Sequence, residues 1–115
     1  MPRLFKQSNP TEIIRQYTNP ISGMRIVTYK VEGKPYPYET ALQSKYMYQN
    51  QLRPIALYHD EDSAILGHYG HVEVQTGYKA SIIMAHVKDA VNITHSDVLA
   101  AFAVQVKDES TDHTV

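Results

Sequence analysis

Cysteine and tryptophan are absent from this 115-residue chain, phenylalanine occurs twice and glycine five times. Without cysteine there is no disulfide framework and no thiolate chemistry, so the small cysteine-rich secreted scaffolds are excluded. Long apolar runs are missing too. The longest, VLAAFAV over 98–104, is far short of the roughly 20 residues a membrane-spanning helix needs. The opening MPRLFKQSNPTEIIRQYTNP has basic residues but no apolar run of signal-peptide length, so the expectation is a soluble, cytoplasmic protein. There is also no P-loop, no G-x-G-x-x-G, no G-x-S-x-G elbow and no H-E-x-x-H, which removes the motifs that would announce a nucleotide, hydrolase or zinc-protease site.

What is present is enough for one core. A chain of this length forms a single domain that buries about two-thirds of its unfolded surface. The expected domain covers 1–107, followed by a disordered polar tail over 108–115, KDESTDHTV with its lysine removed. The formal net charge of −1 conceals an asymmetry. Residues 1–59 carry eight Lys/Arg against three acids, a balance of +5. Residues 60–115 carry three lysines against nine acids, a balance of −6. Such a split allows a basic surface for an anionic partner, or opposite-charge contacts between subunits.

Periodicity and punctuation predict an α+β fold. Asn9, Pro10 and Glu12 read as a helix start and Asn19-Pro20 as its end. Residues 24–31, MRIVTYKV, read as a strand with Arg25, Val27, Tyr29 and Val31 on one face. Thr40 and Gln43 have capping-box spacing and predict a central helix ending before Pro54. Residues 54–76 then read as three short strands in a meander, with DEDS and Tyr69-Gly70 as turns. Ala80, Ile83, Met84, Val87, Ala90 and Val91 make the clearest helical stripe. Residues 98–106 fit helix or strand, capped by Thr94 or Ser96, and are apolar almost all round. The expected architecture is therefore a small antiparallel sheet of about four strands, packed against two C-terminal helical segments, with short N-terminal and central helices.

Three functional readings follow. The first is a small non-catalytic binding or assembly module that self-associates and engages a macromolecular partner, resting on VLAAFAV and the charge split. The second is a single-stranded nucleic-acid binder. Residues 29–53 interleave cations with tyrosines, and Lys30, Lys34, Tyr36, Tyr38, Lys45 and Arg53 would supply phosphate contacts and stacking faces. The third is a metal-dependent enzyme. If Tyr69-Gly70 closes a hairpin, His68 and His71 oppose each other across it, with Glu73 on the face of His71. Two imidazoles and a carboxylate could then hold a divalent metal and its water. His59, about 13 Å away along such a ladder, belongs to a different turn, and Asp60-Glu61-Asp62 lacks the alternation of a calcium loop. Residues 87–101 have helix-turn-helix spacing, but their second segment offers too few polar or basic side chains to read a groove.

Overall fold

The computed structural model describes residues 10–44, 46 and 48–112. Four strands come first: β1 (Pro10–Thr18), β2 (Arg25–Val31), β3 (Tyr38–Gln43) and β4 (Arg53–Tyr58). Helices α1 (Glu61–Thr76) and α2 (Ala80–Val87), a two-residue β5 (Asn92–Ile93) and α3 (His95–Asp112) follow. The sheet order is β4-β3-β2-β1-β5. β1 to β4 form an antiparallel meander, and β5 adds in parallel beside Gln16 and Tyr17 of β1. The fold is thus α+β, with a five-stranded mixed sheet and three helices.

The strand reading of 24–31 matches β2. Arg25, Val27, Tyr29 and Val31 share a face, and the last three lie in a buried cluster with Ala41 and the partly buried Leu52. The opposite face carries the main core. There Tyr17 and Ile26 meet Tyr69 and Val72 of α1, Ile83 and Val87 of α2, and Val98 and Ala101 of α3. The helical stripe from Ala80 to Val87 is α2, although the helix stops at Lys88, whose φ of 53° breaks it. Ala90 and Val91 therefore fall outside it.

The N-terminal helix is not formed over the described residues; Asn9 lies outside them. Residues 10–18 are β1, because Thr11, Ile13 and Ile14 favour extended backbone and β2 supplies a partner along nearly their whole length. Asn19 and Pro20 make the hairpin turn, with Gly23 N donating to Asn19 O at 2.8 Å and Asn19 N to Met24 O at 2.9 Å. The central helix is also replaced. Thr40 and Gln43 sit in β3, paired on both sides by β2 and β4, and one 3-10 turn at Tyr48–Asn50 is the only helical piece there among the described residues.

The largest correction falls on 54–76. Its first part is β4, but the second and third expected strands are one continuous helix, α1. Asp60 caps it by accepting from Ser63 N at 2.8 Å, Glu61 and Asp62 occupy the first turn, and Gly77 (φ 81°) ends it. Each device offsets unmade backbone hydrogen bonds or the helix dipole. The Ser63 hydrogen bonds hold the Asp60 carboxyl below its ordinary range. Asp60→Ala should therefore lower the thermal midpoint, and the difference from wild type should shrink as Asp60 is protonated in acid. Thermal scans at pH 7 and in acid check both.

Residues 98–106 are helical and belong to α3. Thr94 caps it: Asp97 N donates to Thr94 Oγ1 at 3.1 Å, and Thr94 N donates to Asp97 Oδ2 at 3.0 Å. Val98 and Ala101 are buried, while Leu99 and Phe102 are exposed at 45% and 38%. That helix is therefore half core and half surface over its described side chains. α3 runs to Asp112, so 108–112 of the expected tail continue the helix, and 113–115 lie outside the described residues. Among the described residues no helix is long and apolar enough to cross a membrane.

Candidate functional site

Because α1 is a helix, His68 and His71 are three residues apart on one helix rather than opposed across a hairpin. The three expected metal ligands then separate by environment. His68 is fully buried, His71 is half-buried, and Glu73 is exposed. Glu73 Oε1 accepts the backbone N–H of Ala80 at 2.8 Å. It thereby caps α2, whose own N-cap residue Lys79 makes no side-chain capping bond. Among the described residues no three His, Cys, Asp or Glu side chains are grouped to hold a metal ion.

His68 instead anchors a buried polar chain across the sheet. Its Nδ1 lies 2.8 Å from Thr28 Oγ1, which is 2.6 Å from Thr40 Oγ1, which is 3.1 Å from the Tyr58 hydroxyl. One residue each from α1, β2, β3 and β4 is thus linked at the centre of the helix-covered face. The other ring nitrogen, Nε2, has no hydrogen-bond partner among the described residues. Burial, reinforced by nearby Arg15 and His71, pushes the His68 pKa down to about 3, so the ring is neutral at physiological pH. Arg15 is itself 7% exposed and donates from Nη1 to Ile14 O at 2.8 Å. The Tyr69 hydroxyl lies beside it, and burial raises the Tyr69 pKa although Arg15 pulls the other way. A histidine with no exposed surface cannot reach an external substrate without local opening. Its chemistry here is to satisfy a buried threonine and tie α1 to the sheet.

The residues expected to contact nucleic acid fall at two ends of the sheet. Lys30, Lys34, Tyr36 and Tyr38 surround the β2–β3 turn, where Lys34 Nζ stands 3.6 Å from Glu39 Oε1 and the Tyr36 ring packs on His59 at 4.3 Å. Arg53 lies at the opposite end, paired in register with Leu42 while Tyr38 pairs with Tyr58. Four residues along β3 separate those rows, on the order of 14 Å. Lys45 lies outside the described residues. Of the five described residues the structure therefore groups four at the β2–β3 turn and places Arg53 at the opposite end.

Two surface features were not anticipated. Among the described residues β4 is an outer strand of the sheet, paired with β3 alone, and it exposes Ile55 and Leu57 at 41% and 53%. Alternating apolar residues bounded by Pro54 and the acidic run after His59 were a usable signal for an edge strand. The second is a cleft of about 390 Å³ between the β1–β2 turn on one side and Gln43, Tyr46 and Asn50 on the other, lined also by Arg25. Nothing local in the sequence marks it, since its walls come from segments up to 32 residues apart, Thr18 to Asn50.

Compared with known proteins, the chain matches no family model, no curated protein and no solved structure.

Proposed function

We propose that this protein is a small non-catalytic assembly module that self-associates edge to edge through β4 and so presents a joined surface to a macromolecular partner. The observation that carries the reading is the outer position of β4 with Ile55 and Leu57 exposed on it. An outer strand leaves a row of backbone donors and acceptors open to another strand. Pro54 removes one donor near its start, so the segment 55–58 is the pairing unit.

The charges around β4 favour a second copy as the partner strand. Arg53 begins the strand, and His59, Asp60, Glu61 and Asp62 follow its end. In an antiparallel two-fold pairing centred on Ala56, Ile55 opposes Leu57 of the partner subunit. Arg53 then stands beside His59 and the acidic run that follows it in the partner subunit. A two-fold contact is self-complementary by construction, and this one sets the basic end of each strand against the acidic end of the other.

Sedimentation equilibrium tests the reading. At micromolar concentration and low salt the wild-type protein is expected to be dimeric, with association weakening as salt screens the strand-end charges. Leu57→Lys, at a half-exposed position, should leave the fold intact and yield a monomer. A wild-type chain that stays monomeric at every concentration and salt level overturns self-assembly. A dimer untouched by Leu57→Lys removes β4 as its interface.

A further inference from the structure

We infer that the cleft around Arg25 is a binding site for a small organic molecule with an oxyanion head, a carboxylate or a phosphoryl group. This goes beyond the assembly reading and does not depend on it.

Among the described residues the guanidinium of Arg25 is fixed by neutral groups alone. Nη1 donates to Gln43 Oε1 at 2.8 Å, while Nε and Nη2 donate to Gln16 Oε1 at 3.2 and 2.5 Å. These two glutamines, from the strands on either side of β2, hold the fork in one plane without cancelling its charge. Among the described residues no carboxylate is paired with Arg25. Burial also disfavours its charged form, as expected of a cation turned from bulk water toward a concave surface. A guanidinium has five N–H groups; three are engaged by the glutamines and two remain. A planar cation in a fixed orientation suits two-point recognition of an oxyanion.

The surroundings form a site around that charge. Of the described residues lining the cleft, Arg25 alone carries a formal charge; Thr18, Gln43 and Asn50 add polar groups, and Ile21 and Tyr46 give an apolar lip. Its volume of about 390 Å³ falls in the range of small-molecule sites. The rim opposite the β1–β2 turn is pinned. Gln49 and Asn50 both adopt left-handed backbone, φ 52° and 60°. Asn50 N donates to Ser44 O at 3.1 Å, and Gln43 Nε2 donates to Asn50 O at 2.9 Å. The same glutamine thus orients Arg25 and holds the loop that faces it. Residues in such sparsely populated conformations persist where surrounding bonds over-determine them. The charge of Arg25 supplies the affinity, and the lip around Ile21 and Tyr46 selects for an apolar body on the ligand.

The test uses the full chain and three probes, inorganic phosphate, phenyl phosphate and benzoate, each titrated at constant ionic strength and followed by amide chemical shifts. At least one probe should bind saturably, with shifts confined to 18–25 and 43–50. A response to both phosphates identifies a phosphoryl head, and a response to benzoate identifies a carboxylate. Phenyl phosphate binding more tightly than phosphate shows that the apolar lip takes part. Gln16→Glu supplies an internal carboxylate to Arg25 and should weaken binding by about tenfold or more, with the fold retained. Arg25→Gln should abolish it. If no probe binds saturably, or if Gln16→Glu binds as the wild type does, the assignment is overturned. Should Arg25→Gln fail to fold, Gln16→Glu carries the decision alone.

Discussion

Acidification is expected to erode the stability of this fold from about pH 6.5 downward, well before its carboxylates begin to protonate. The cause is His68. Its pKa is 6.5 in an unfolded chain and about 3 in the native protein. Above pH 6.5 the ring is neutral in both states and contributes no pH dependence. Below that, the unfolded chain takes up a proton that the native state refuses. Stability therefore falls by about 1.4 kcal/mol per pH unit. The loss ends near pH 3, where native His68 is also protonated, and it totals on the order of 5 kcal/mol. That is a large fraction of the roughly 5–15 kcal/mol that holds a domain together.

The groups around the ring sharpen this expectation. Arg15 from β1 and His71 on α1 both oppose a second positive charge there, and Thr28 from β2 offers only a neutral hydroxyl. Burial depresses His71 as well, which adds to the slope with the same sign. Asp60 and Asp97, held below 3.8 by hydrogen bonds to Ser63 and Thr94, lose their contributions in a lower window. Urea unfolding at a series of pH values from 7 to 4.5 measures the slope. His68→Asn keeps a polar atom near Thr28 and removes the titration. It should be less stable at pH 7 and much flatter with pH. A variant as steep as the wild type would remove His68 as the source.

The second large effect is expected at Gly67, with Gly70 on the same helix as its control. Glycine inside a helix costs about 1 kcal/mol relative to alanine, so both substitutions would stabilise α1 on propensity alone. Gly70→Ala should do so, because a β-carbon there meets nothing within 4 Å. At Gly67 the same atom would lie 2.2 Å from the Tyr58 hydroxyl and 2.4 Å from two ring carbons. The ring must then swing away and abandon its contact with Thr40, which opens the far end of the buried polar chain. Overpacking of this kind costs about 1–3 kcal/mol, so Gly67→Ala should be net destabilising by up to about 2 kcal/mol. Opposite signs for two alanines three residues apart are the diagnostic result. Thermal or urea unfolding of both variants reads it directly.

Gly70 also shows why α1 was misjudged from sequence. Tyr69-Gly70 resembles a turn, and DEDS resembles a loop. Yet Asp60, the acids of the first turn and Gly77 were helix-end signals in plain view. What hid the helix was its pattern. Leu66 and Val74 are exposed at 60% and 78%, while a histidine fills a central buried position. Apolar residues thus appear on the wet face and a polar one on the dry face, which flattens the periodicity that marks a helix. α2 was legible because its buried and apolar positions coincide.

The sequence by itself determined the class of fold, the β2 strand and its face, and the α2 stripe as far as Val87, and it narrowed the α3 cap to Thr94 or Ser96, because each rests on neighbours within a turn or a strand. Local devices of that kind are worth about 1 kcal/mol, enough to mark an element when nothing competes. Tertiary structure decided the rest. Pairing on β2 outweighed the helix start before β1, and pairing on both edges of β3 outweighed the Thr40 capping box. Burial under the sheet turned His68 from a candidate ligand into a neutral member of a hydrogen-bonded chain. The Arg25 cleft arises from the packing of segments distant in sequence, a long-range property that no window of neighbouring residues encodes; the edge position of β4 had a local signal in Pro54 and the acidic run, but strand order decided it.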